Sequence, residues 1–159
     1  MIDIQALSIV IAAASVVIGV IYSSFQLRYQ TKARQTDLVL RLYSKWSDDK
    51  FMETYTTVLR KLEFKDYTDY VKKYGSPLSG TPTNRKWLIT GLYFEGIGVL
   101  LRRKLIDIRL VDDLLSGPIK NMWEKIKPLV EAVRKQLGQP TVMEYFEFLY
   151  NEMQKREQG

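Results

Sequence analysis

Between Asp3 and Arg28 the chain runs for 24 residues without a formal charge, IQALSIVIAAASVVIGVIYSSFQL, Ile4–Leu27. As a helix rising about 1.5 Å per residue, such a run spans about 36 Å, more than the roughly 30 Å hydrocarbon core of a bilayer. Eleven large apolar residues between Ile4 and Phe25 contribute about −3 to −7 kcal/mol to insertion at about −0.3 to −0.6 kcal/mol each. Four serines and two glutamines oppose this, mostly near the ends. A membrane-spanning helix is expected.

A cleavable leader would open with a basic segment and carry an apolar core of about 7–15 residues. Here the flank is Met-Ile-Asp-Ile-Gln, and Ala12-Ala13-Ala14 lies mid-run rather than at its end. The helix therefore reads as an uncleaved anchor. Arg28, Lys32, Arg34, Arg41 and Lys45 follow it, whereas no Lys or Arg precedes it. The positive-inside bias then places Met1 outside and the rest of the chain in the cytoplasm. Tyr22, Phe25 and Tyr29 fall where an interfacial aromatic belt belongs. Ser8, Ala12, Ser15, Gly19 and Ser23 are spaced four, three, four and four apart. They share one helix face of small residues, the pattern that lets two membrane helices pair, so a homodimer through the anchor is one expectation.

Residues 28–159 hold all 24 basic residues and 17 of the 18 acidic ones, a net of +7. Beside a membrane, such a domain is drawn to anionic headgroups. The cations are dispersed among acids, which argues against nucleic acid as a partner. The chain has neither cysteine nor histidine. That removes disulfides, thiolate catalysis, the commonest zinc ligands and the commonest general base together.

The remaining pattern is helical throughout, with no β alternation and no repeat. The expected class is all-α: one N-terminal transmembrane helix followed by a cytosolic bundle of six or seven helices. The expected division is an anchor over 1–27, a helical stalk and first docking helix over 28–46, and a cytosolic helical domain over 47–159. Arg28–Asp37 is polar all round, and Leu38, Val39, Leu42, Tyr43 and Trp46 then return at helical spacing. A second helix follows Ser47-Asp48-Asp49, and a third covers about Asp66–Tyr74, closed by Gly75. Gly75–Thr83, GSPLSGTPT, reads as the longest loop and the one most open to proteolysis.

Asn84–Lys104 is the most hydrophobic part of the domain, with large apolar residues around most of its circumference, the mark of a central buried helix. Gly91, Gly96 and Gly98 within it predict close approach by a neighbour, since each otherwise costs about 1 kcal/mol relative to Ala. Asp107 is expected to cap a short helix ending near Ser116-Gly117, with Pro118 opening the next. Pro128 predicts a kink or break near Ile126–Lys127. Thr141 with Glu144 forms a capping-box signature for a last helix over about Val142–Lys155.

Few residues could carry chemistry. Asp48-Asp49 and Asp112-Asp113 are adjacent acids, but helix neighbours point about 100° apart and do not chelate together. No phosphate-loop, dinucleotide or nucleophile-elbow pattern occurs. No catalytic residue, cofactor or metal is assigned. Glu95 is the one ionisable residue inside the apolar helix. A buried carboxylate needs a cation or several donors. Two readings follow: an ion pair with a facing cation, Arg134 being the candidate, or a ligand pocket around Glu95.

Tyr93-Phe94-Glu95, Leu105-Ile106-Asp107, Trp123-Glu124-Lys125-Ile126-Lys127-Pro128, Arg134 and Tyr145-Phe146-Glu147-Phe148-Leu149-Tyr150 together resemble a family of uncharacterised prokaryotic proteins. The resemblance covers Trp87–Tyr150. It implies one N-terminal membrane helix, a small cytosolic helical domain of unknown function and a prokaryotic setting, and it brings no catalytic residues. The function expected is a membrane-anchored, non-enzymatic interaction or adaptor module with an unidentified protein partner. The rival reading is a small-ligand sensor using the Glu95 pocket.

Overall fold

The computed structural model describes residues 3–157, and among them the chain forms six helices and no strand. They are α1 (Ile4–Trp46), α2 (Asp49–Lys61), α3 (Tyr67–Tyr74), α4 (Pro82–Arg102), α5 (Ile108–Leu137) and α6 (Glu144–Glu157). The all-α expectation holds. Met1, expected on the outer side, and the last two residues of the 47–159 segment lie outside the described residues.

Two compact units divide the chain, Met1–Asp37 and Leu38–Gly159. The boundary falls inside the expected 28–46 stretch. In the first unit α1 leaves its side chains uncovered: Ile9, Val16, Ile18 and Phe25 are each more than half exposed. The most apolar 18 residues of this helix have a mean hydropathy of 2.2, and none is buried. It is long and apolar enough to cross a membrane.

The second unit opens with the end of α1, where Val39 and Trp46 enter the core and Leu38 and Leu42 pack at its edge. Tyr43, expected on the same apolar face, stays exposed. The Tyr93 hydroxyl donates to the Leu42 carbonyl at 2.6 Å, which fixes this last stretch of α1 to α4. Side-chain caps then start α2, α3, α4 and α5. Asp48 accepts from the Phe51 N–H at 3.0 Å, Asp66 from Asp69 at 2.8 Å, Thr81 from Asn84 at 3.3 Å and Asp107 from Arg109 at 2.9 Å. Each satisfies an N–H that the helix cannot.

The helix end expected at Ser116-Gly117 and the break weighed as one alternative near Ile126–Lys127 do not occur: α5 runs for 30 residues through both prolines. Its buried stripe explains why. Val111, Leu115, Ile119, Met122, Trp123, Ile126, Leu129, Val130 and Val133 are all buried and stay in helical register across both prolines. Nine such side chains at about 1.5–3 kcal/mol each outweigh two interior prolines at about 3 kcal/mol each. Gly138 closes the helix in the left-handed region, at φ 64°, as a C-terminal glycine can.

α4 is less enclosed than its composition predicts. Trp87, Phe94, Ile97 and Leu101 are buried against α2, α5 and α6, but Leu88, Ile89 and Leu92 are 42%, 46% and 54% exposed. It packs against α2, α5 and α6, as a central helix does, but leaves this one face open.

Candidate functional site

α6 begins later than its sequence signal. Thr141 contributes only its carbonyl, which accepts from the Glu144 N–H at 3.1 Å, and Met143 adopts φ 57° before the first helical residue, Glu144. The position that normally supplies a capping side chain is therefore a methionine, which has no oxygen to offer. An N-cap oxygen would accept from the N–H groups two and three residues into the helix, here Tyr145 and Phe146.

Glu95 takes that place from another helix. Its Oε2 accepts from the Phe146 N–H at 2.6 Å, and the Tyr145 N–H is also directed at the carboxylate. A negative charge at a helix N-terminus is favoured by the macrodipole as well. The approach is close because Gly98, three residues on, has no side chain. A Cβ there would lie 2.0 Å from the Tyr145 carbonyl oxygen. At Gly91 a Cβ would meet the Met143 thioether at 2.7 Å. Gly96 has nothing within 4 Å, so close approach accounts for two of the three glycines.

Burial pushes the Glu95 carboxyl above its ordinary value. The N–H groups of Phe146 and Tyr145 pull it down, Glu144 pushes it up, Arg134 pulls it down, and the net direction is upward. Arg134 does not bond to it. The Arg134 Nε donates to the Val142 carbonyl at 2.8 Å, and Nη1 pairs with Glu147 at 2.7 Å. Both residues are half-buried, and Nη2 is buried without a partner. Glu95 and Arg134 thus hold the same helix start from two sides, and Arg134 acts on Glu95 only through space.

Among the described residues, Glu95 does not line any of three cavities found along the helical unit. The one bordered by α4 and the end of α5 has a volume of about 340 Å³. Exposed Leu78, Leu88 and Leu137 line it, with Trp87 and Met143 buried beneath. It is an apolar groove. The paired acids have structural partners: Asp48 caps α2, and Asp112 pairs with Arg156 at 2.8 Å, tying α5 to α6. Among the described residues no group of three or more Asp, Glu, His or Cys gathers to hold a metal.

In α1, Ser8, Ala12, Ser15, Gly19 and Ser23 are all exposed. The Ser8 hydroxyl donates to the Ile4 carbonyl at 2.9 Å and Ser15 to Ile11 at 2.8 Å. These bonds within the helix let serines sit in an apolar phase without an outside partner.

Asn84 is the structural residue that sequence reasoning missed. It is 2% exposed, accepts from the Tyr70 hydroxyl, and donates to the Ser76 carbonyl at 2.5 Å and the Ser79 carbonyl at 3.0 Å. The loop read as open to cleavage is pinned by this amide. The one available signal was an Asn in the first turn of the most apolar helix.

No curated protein and no solved structure matches the chain. One family does, described as a domain of unknown function, DUF4760, over residues 9–153. That match takes in most of α1 and nearly all of the helical unit, and the chain belongs to this family.

Proposed function

We propose that the protein is a single-pass membrane protein of a prokaryotic cell whose helical domain is a non-enzymatic interaction module on the cytoplasmic face. The observation that carries this reading is α1, whose large apolar residues from Ile4 to Leu27 are exposed. In water such a surface would aggregate, and a bilayer is the environment that satisfies it. The cations from Arg28 onward support the inward direction. The lack of histidine and cysteine, together with the structural engagement of Glu95, Asp48 and Asp112, supports a binding role over a catalytic one. Protein partners would meet the domain, and anionic headgroups would meet its net positive charge.

The cysteine-free sequence makes the test clean. Single cysteines at Asp3 and Asn151 are probed with a membrane-impermeant maleimide on intact cells. Labelling of Asp3→Cys before, and Asn151→Cys only after, permeabilisation is expected. The reverse pattern would refute the orientation, and release of the protein by alkaline carbonate would refute the span.

A further inference from the structure

The open face of α4 has a second feature that its burial does not explain. At 100° per residue, Leu88, Ile89, Leu92, Gly96 and Val99 fall within an arc of about 100°. Arg85 and Arg103 lie on the same arc at its two ends, about 27 Å apart at 1.5 Å per residue, and both are exposed. Leu88 also lines the groove with exposed Leu78 and Leu137, so the apolar surface is continuous beyond the helix. Arg102 adds a further exposed cation, and Glu95, the sole acid on α4, is turned to the start of α6. An exposed apolar arc flanked by cations is a surface that suits the boundary between anionic headgroups and acyl chains.

From this we infer that the α4 face, Leu88–Ile89–Leu92 between Arg85 and Arg103, rests on an anionic bilayer surface. The inference builds on the anchor proposed above, because only ten residues, 28–37, separate the uncharged run from the helical unit. Even fully extended, ten residues reach about 35 Å, so the domain cannot leave the membrane's neighbourhood. A second copy fits this face poorly. In a two-fold pair, antiparallel helices would set Arg85 beside the other copy's Arg103, and parallel helices would set like residues together. Either arrangement opposes cation to cation. Phosphate-bearing headgroups oppose anion to cation at both ends while their acyl boundary takes the leucines.

The full chain is reconstituted into vesicles of equal parts phosphatidylcholine and phosphatidylglycerol, carrying lipid-attached quenchers. A fluorophore is placed on a single cysteine at Leu92, at Val17 in the anchor, or at exposed Asn121 on α5. Quenching is expected at Leu92 and Val17 but not at Asn121. The Leu92 quenching should be lost in pure phosphatidylcholine, in high salt and in the Arg85→Glu/Arg103→Glu double variant, with Val17 unaffected throughout. Quenching at Val17 without Leu92 would overturn the inference and leave the anchor standing. Quenching at Leu92 without Val17 would keep the face on the lipid and remove the anchor. A Leu92 label shielded from water but out of reach of the lipid quenchers would mean that protein covers the face, and would overturn the inference. So would an absence of quenching at both sites, which removes the anchor too.

Discussion

Glu95 accepts the backbone N–H of Phe146 at 2.6 Å, across 51 positions of sequence. The last helix is therefore capped by a side chain from α4 rather than by its own preceding residue. That makes Glu95 the point at which two distant segments specify each other.

Glu95→Ala leaves two helix-terminal N–H groups without their acceptor and should cost about 1–3 kcal/mol. Glu95→Gln keeps one acceptor oxygen and should cost less. A pH dependence follows. Because the folded carboxyl titrates above its ordinary value of 4.5, the folded chain holds this proton more tightly than the unfolded chain. The Glu95 contribution is thus fully present below pH 4.5 and declines as pH rises through the higher folded value. Urea denaturation of wild type and Glu95→Gln should show a gap that narrows from acid to neutral pH. A gap that widens would contradict the assigned direction.

The three glycines of α4 should separate cleanly. Gly98→Ala puts a Cβ 2.0 Å from the backbone oxygen of Tyr145, which only a shift of the α6 start can relieve, at about 1–3 kcal/mol or more. Gly91→Ala meets the end of the Met143 side chain, which can rotate away, so its cost should be smaller. Gly96→Ala enters open space and should gain up to about 1 kcal/mol of helix propensity. Melting temperatures in the order Gly96→Ala, Gly91→Ala, Gly98→Ala, highest to lowest, are the expected outcome.

The helical class, the docking of Val39 and Trp46 and the caps at Asp48 and Asp107 were legible because periodicity and capping are local signals. The misread features depend on partners far along the chain. Pro118 and Pro128 carry a local instruction to stop, which the stripe from Val111 to Val133 overrides by burial that no short window contains. Thr141 and Glu144 spell a capping box, yet Met143 in the left-handed region starts the helix later and Glu95 supplies the cap. Leu88, Ile89 and Leu92 looked like core because composition cannot say which side of a helix its neighbours cover. At the candidate site, Glu95 was legible as a charge needing donors. Its donors were not, since backbone N–H groups of α6 leave no trace in side-chain spacing.

Arg134 and Glu147 should prove a coupled pair, whereas Arg134 and Glu95 should not. The first two meet at 2.7 Å and are half-buried, a setting in which direct partners show coupling of about 0.5–3 kcal/mol. Arg134 reaches Glu95 only through space, as the weakest of the influences on it. Double-mutant cycles by urea denaturation, with Arg134→Met against Glu147→Gln and against Glu95→Gln, measure both terms. Equal coupling in the two cycles would mean that Arg134 bridges to Glu95 in solution.

Asn84→Ala should loosen the segment from Ser76 to Gly80 without dissolving the helices. Its amide binds the carbonyls of Ser76 and Ser79 and receives the Tyr70 hydroxyl. Removing it strands a tyrosine that is wholly buried, at about 1–3 kcal/mol. Burial already pushes that hydroxyl up to about 12, so it cannot relieve the loss by ionising near neutral pH. Limited proteolysis should cut the variant within the loop faster than wild type, while α4 and α5 amides stay protected from hydrogen exchange. Tyr70→Phe, which removes the stranded group, should recover stability when added to Asn84→Ala but leave the loop as cleavable. Faster cleavage abolished by Tyr70→Phe would instead locate the defect in the core rather than in the loop's own lost bonds.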